Sequence, residues 1–276
     1  MGRSIVTRML VVAAALALLA GCGSGSPSSP SATSSPGTSP TPTTTPPVMP
    51  GPSVRVAGVR CGDPALGAQQ LVTFPTTAGG TLAGYLLGSG STVLILAAQA
   101  GTTSCDWLPY ARAMAASGYS ALAFDFSNEG DSTKSTSPLS ADVAAAVRFA
   151  RSRGLAKVVL IGASRGATAV LIAGATVSPP VTAVMSLSAP TSMGGEDALA
   201  SVPKLTAPVL YLAAEQDTGF KIAARNLYDA TPGSTRRLLV VPGYLHGEAF
   251  VFQTAEGSGE AVAAMEAFLT EHAPSR

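Results

Sequence analysis

Ser164 sits at the centre of Gly162-Ala163-Ser164-Arg165-Gly166, the first place in this sequence where chemistry can be read. A serine hydroxyl attacks a carbonyl only when a base takes its proton, and the base suited to neutral pH is an imidazole steered by a carboxylate. The chain has two histidines. His246 lies in Pro242-Gly243-Tyr244-Leu245-His246-Gly247, a glycine-flanked loop setting that does not read as core. His272 stands beside Ala273-Pro274 at the frayed end of the last helix, where solvent is its expected neighbour. Two acids compete to orient the imidazole: Asp217 and, two residues earlier, Glu215, which reads as a strand-end residue facing away.

The serine needs a particular setting. Lys157-Val158-Val159-Leu160 leads into the pentapeptide as a strand, and Ala167 to Ala173 leaves it as a helix. A strand, a G-x-S-x-G turn and a helix expose a serine at a sharp elbow, and both flanking glycines must lack bulk because strand and helix crowd the turn. The pentapeptide alone fits an ordinary strand-to-helix loop equally well, so the surrounding pattern decides.

That pattern alternates. Residues 68–75 and 81–87 read as an antiparallel hairpin around Gly79-Gly80, and 91–98 as a buried central strand. A helix over 107–117 stops at Gly118, followed by strand 120–126 and an alanine-rich helix over 140–153. Strand 156–161, helix 165–176, strand 181–188, a short helix near 196–203, strand 208–214, helix 220–230, strand 236–241 and a helix over 256–272 complete the chain. Strands alternating with helices predict an α/β fold: eight strands, mostly parallel, with helices on both faces.

Over about residues 68–272 the chain resembles the α/β-hydrolase superfamily. The elbow with Ser164 follows the fifth strand, Asp217 the seventh and His246 the eighth, in the order serine, acid, histidine. Asp125-Phe126-Ser127-Asn128-Glu129-Gly130-Asp131-Ser132 is similar to the family's loop after the fourth strand. The resemblance implies a catalytic triad of Ser164, Asp217 and His246 and no cofactor. It also implies an oxyanion hole of backbone amides, assigned to Arg165 and Gln99, with Ala100 as the alternative to Gln99. Here the sequence departs from many relatives, carrying Ala98-Gln99 where they have His-Gly. The Arg165 guanidinium meets an anionic part of a substrate or pairs with a carboxylate such as Asp131. Trp107 packs or stacks on substrate. The stretch 189–207 is too short for the large helical cap many relatives insert, so the resemblance is to small esterases and dienelactone-hydrolase-like members.

The first fifth of the chain is different. Arg3 and Arg8 precede an apolar run over 9–20, too short to span a bilayer, ending in Leu19-Ala20-Gly21-Cys22. This resembles a bacterial lipobox, so residues 1–21 are read as a leader and Cys22 as a diacylated N-terminus. Two acyl chains, at about 0.8 kcal/mol per buried methylene, give stable anchoring. The expected location is the extracytoplasmic face of the cell membrane. Removing residues 1–21 takes away two arginines and no acid, so the net charge of +1 becomes −1. From Gly23 to Pro52 no residue is charged, and serine, proline, threonine and glycine dominate. Residues 22–60 therefore read as lipidated cysteine and spacer, and 61–276 as the hydrolase domain. With Cys22 lipidated, Cys61 and Cys105 remain in an oxidising compartment, where one disulfide is the natural pairing and two free thiols the alternative.

Other chemistries lack their residues. No basic block suggests nucleic acid, no His/Cys/Asp cluster has zinc spacing, and there is no phosphate-binding G-x-x-x-x-G-K. The expected activity is a membrane-anchored serine hydrolase, a monomer acting on small carboxylic esters. A peptidase or acyltransferase on the same triad, or a binding lipoprotein that kept the fold, are the alternatives.

Overall fold

Alternation inside continuous apolar runs decides the architecture. The computed structural model describes residues 60–63, 66–67 and 70–275. The expected leader, Cys22 and the spacer up to residue 59 lie outside the described residues. In β3 (Thr92–Ala97), Val93, Ile95 and Ala97 join one core and Leu94 and Leu96 the other. In β5 (Lys157–Ala163), Val158 and Leu160 face one way and Val159, Ile161 and Ala163 the other. Successive strand residues point to opposite faces, so a sheet covered on both sides needs apolar residues at every position.

The other strands are β1 (Leu71–Pro75), β2 (Thr81–Leu87), β4 (Ser120–Phe124), β6 (Ala183–Leu187), β7 (Val209–Ala214) and β8 (Arg236–Val241). They form one eight-stranded sheet in the order β1-β2-β4-β3-β5-β6-β7-β8. β2 runs antiparallel to β1 and to β4; every other pairing is parallel. The α/β expectation of eight mostly parallel strands holds. One core takes in residues of α2 (Leu139–Ser152), α3 (Arg165–Thr176) and α4 (Thr218–Ala230). The other takes in residues of α1 (Ser104–Ala116) and α5 (Ser258–His272).

Three local features differ from the expectation. Helix α1 begins three residues before Trp107, because Thr103 and Asp106 cap it reciprocally. Ala249–Phe252 forms one helical turn, and Ser192–Met193 pairs with Glu196–Asp197 in a two-residue ribbon. Trp107 is fully buried against Tyr110 and Phe252, which makes it a packing residue.

The chain ahead of β1 is tied down twice. Cys61 and Cys105 form a disulfide. Arg60 grips the buried Asp125 with two guanidinium nitrogens, at 2.6 and 3.0 Å, and donates to Ser104 Oγ at 2.7 Å. Asp125 also accepts from the Ser104 and Asp131 amides. No described helix is long and apolar enough to cross a membrane.

Asp142, in the first turn of α2, is fully buried and accepts the Ser127 amide at 2.8 Å. Burial pushes its carboxyl above the ordinary value, against the lowering effect of the bond from the Ser127 amide. A carboxyl with a raised native pKa holds its proton better when folded, so stability is lost as pH rises from the unfolded value through the native one. Asp142→Asn cannot ionise and can still accept the Ser127 amide. Its stability relative to the unsubstituted protein should therefore improve between about pH 4 and about pH 7. Urea unfolding at the two pH values measures this; a pH-independent difference would contradict it.

Candidate active site

Ser164 joins β5 to α3 with φ 49° and ψ −116°, a conformation that costs a non-glycine residue of order 1–3 kcal/mol. The turn is tight because three backbones converge on it. A Cβ at Gly162 would lie 2.3 Å from the Gly166 carbonyl oxygen, and one at Gly166 would lie 2.4 Å from the Ala97 carbonyl oxygen. The Ser164 amide donates to Leu187 O at 2.8 Å, anchoring the elbow to the end of β6. Just after it, Arg165 opens α3, and no acceptor among the described residues meets its N–H. A first-turn amide has no partner within the helix, so it is available to an anion.

His246 follows β8. Its Nδ1 lies 2.7 Å from Asp217 Oδ2, which leaves Nε2 as the free ring nitrogen. Asp217 occupies the N-cap position of α4 but caps nothing with its side chain. Glu215 is exposed, and the bond to the imidazole goes to Asp217. Phe220 packs edge-on against the imidazole, with ring centroids 4.3 Å apart. The loop after His246 hangs from the same strand end as the elbow: Gly247 N–H donates to Ser188 Oγ at 3.2 Å. Ser188 itself has φ 52° and is fully buried. Gly247 also abuts the residue before Ser164, since a Cβ there would meet Ala163 Cβ at 3.4 Å. No hydrogen bond joins Ser164 to His246; such bonds often tighten only when substrate binds.

The oxyanion side differs from the expectation. The Gln99 N–H does not stand free: it donates to Glu248 Oε1 at 3.0 Å. The Ala100 N–H, the other candidate, meets no acceptor among the described residues. Arg165 pairs with Glu129 rather than with Asp131, and its guanidinium lies 5.5 Å from the Phe126 ring centroid. Asp131 lies instead 3.8 Å from Arg60. His272 is not solvated as expected; its ring packs on Phe268, centroids 4.6 Å apart.

Sequence reasoning passed over Glu248, Glu129 and Ser188. Glu248 had a signal, a lone acid inside Gly247-Glu248-Ala249-Phe250-Val251-Phe252, immediately after the histidine's glycine. Ser188 had none.

The family model for alpha/beta hydrolases matches residues 86–274, from β2 to past the end of α5. The chain belongs to the alpha/beta hydrolase family. This alpha/beta hydrolase is similar in fold to an esterase from Pyrococcus furiosus, with a TM-score of 0.60 at 16% identity, over 73% of this chain and 90% of that one. It is also similar to a monoacylglycerol lipase from Paleococcus ferrophilus, with a TM-score of 0.61 at 15% identity, over 70% of this chain and 99% of that one. A proline iminopeptidase from Mycobacterium smegmatis gives a TM-score of 0.58 at 13% identity, over 73% and 98%. No curated protein matches the hydrolase by sequence.

The elbow glycines yield a direct test. Gly166→Ala puts a methyl group against backbone carbonyls that cannot swing aside, so it should cost at least about 1–3 kcal/mol, as overpacking does. Urea denaturation measures it, and an unchanged midpoint would show that the elbow has room.

Proposed function

We propose that this hydrolase is a serine enzyme cleaving small carboxylic esters through an acyl-enzyme. The observation that carries the reading is the 2.7 Å bond between His246 and Asp217, on a loop held to the same strand end as Ser164. Asp217 fixes the tautomer that keeps the proton on Nδ1 and stabilises the imidazolium. His246 Nε2 takes the Ser164 proton as Oγ attacks the acyl carbon. The carbonyl oxygen becomes an oxyanion facing backbone amides, with Arg165 N–H as one donor and Ala100 N–H as the other, because the Gln99 amide is engaged by Glu248. Collapse breaks the ester C–O bond, and His246 returns its proton to the leaving alcohol. Water, deprotonated by His246, then releases the acid and regenerates Ser164.

Fluorophosphonate labelling and p-nitrophenyl acetate turnover test this reading. Ser164 should carry the label, and Ser164→Ala or His246→Ala should each lose on the order of 10⁴ or more in turnover. An unlabelled protein inert towards a panel of short esters would reject it. Amide substrates and alcohol acceptors in the same panel separate peptidase and transferase activity from ester hydrolysis.

We further propose that the enzyme is held by lipid on Cys22 at the extracytoplasmic face of the membrane. The support is the register of apolar run, small residues and cysteine in Leu19-Ala20-Gly21-Cys22. Cys22→Ala in the full chain should move the protein out of the detergent-extracted lipoprotein fraction; unchanged partitioning would refute the anchor.

A further inference from the structure

Outside the triad, one buried carboxylate sits beside the reacting groups without a role in the mechanism above. Glu248 lies two residues after His246 and is 3% exposed. Its Oε1 accepts from the Gln99 backbone N–H at 3.0 Å and from Thr102 Oγ1 at 2.8 Å. The exchange is reciprocal, because Glu248 N–H donates to Gln99 Oε1 at 3.1 Å. Each residue's side chain therefore holds the other's backbone, across 149 positions of sequence.

We propose that Glu248 is a positioning residue that clamps the β3–α1 loop to the histidine loop and so sets the oxyanion donor opposite Arg165. The inference rests on the catalytic reading of Ser164, Asp217 and His246. The β3–α1 loop begins at the end of β3 and carries Ala98, Gln99 and Ala100. Without an anchor, the Gln99 and Ala100 amides would compete for the oxyanion, and the loop would have to order itself at each turnover. Glu248 removes the competition by occupying the Gln99 amide, and Ala100 N–H is the one left without an acceptor among the described residues. Gly247 completes the fit: a Cβ there would sit 2.2 Å from Gln99 Oε1, so the residue between His246 and Glu248 has no room for a side chain.

The carboxyl's environment agrees with this function. Burial raises its pKa, the Gln99 amide and Thr102 hydroxyl oppose the rise, and Asp106 and Arg165 are the charged groups that act on it. A group desolvated this far and bonded on the oxygen facing Gln99 and Thr102 is fixed in place. Hydrogen bonds, rather than charge, supply the function, since an amide oxygen at the same position can accept both donors.

The test compares Glu248→Ala, Glu248→Gln and the milder Thr102→Val, with kcat normalised to the serine that reacts with fluorophosphonate. Per labelled serine, Glu248→Ala should lose about 10- to 100-fold in kcat, less than removal of an oxyanion donor itself. KM should stay within about threefold, because the clamp acts on the transition state rather than on substrate binding. The inhibition constant of an alkyl boronic acid, which forms a tetrahedral adduct, should rise by a factor similar to the fall in kcat/KM. Glu248→Gln should recover most of the loss, and Thr102→Val should lose less than Glu248→Ala. A purely structural carboxylate would lower the melting temperature and leave kcat per labelled serine within about twofold, which overturns the proposal. So would a Glu248→Gln variant as slow as Glu248→Ala, or unchanged boronic acid affinity. If Glu248→Ala does not fold, Thr102→Val decides alone, an unchanged kcat overturning the clamp. An unlabelled, inactive parent protein defeats the catalytic reading itself, whereas a labelled, active parent with an unaffected Glu248→Ala defeats only the clamp.

Discussion

The structure depends on a crossing of backbones with no space to spare. At the elbow the end of β5, the start of α3 and the carbonyls ending β3 lie so close that neither Gly162 nor Gly166 has room for a methyl group. The crossing forces Ser164 into a conformation that isolated chains avoid. A cost of a few kcal/mol persists only where the surroundings over-determine it. Here β5 is hydrogen-bonded on both sides, to β3 and to β6, and α3 lies over a wholly apolar core. The rigidity of the sheet is therefore what keeps the Ser164 hydroxyl at a fixed place.

Around that apolar frame, carboxylates organise the loops, with Asp125, Asp142 and Glu248 buried and Asp217 partly so. Asp125 gathers Arg60, the Ser104 amide and the Asp131 amide. Asp142 holds the Ser127 amide, and Ser127 opens the loop that carries Glu129, the partner of Arg165. Asp217 orients His246, and Glu248 joins two loops. A buried carboxylate is costly unless its oxygens find donors, and backbone amides in loops are donors in need of acceptors. The two requirements answer each other at the strand ends, where the candidate site lies.

How much of this the sequence carried follows from the range of each signal. Strands β3 and β5 were legible because a run of apolar residues bounded by polar ones is a local pattern, and α3 because the helix begins directly at the elbow. The candidacy of Ser164, Asp217 and His246 could be read because their order along the chain and the glycines beside two of them are properties of the sequence itself, and the fold places the His246 and Asp217 side chains together. The start of α1 was missed because Thr103 and Asp106 cap reciprocally, a geometry that Cys105 and Pro109 obscure in the pattern. The Gln99 amide was taken for a free donor because its acceptor lies 149 positions away. Likewise Arg165 finds Glu129 rather than Asp131, a choice between acids two residues apart that only the fold of their loop makes.

The bond between Cys61 and Cys105 has a mechanical side. β1 is an edge strand paired with β2 alone, so tension applied to its leading end would peel its hydrogen bonds one after another. Cys61 lies ahead of β1 and is joined covalently to the first turn of α1, with Arg60 gripping Asp125 beside it. A force transmitted along the preceding chain enters the molecule through that sulfur link and the helix behind it. The weakest edge of the sheet is thereby shielded from the load.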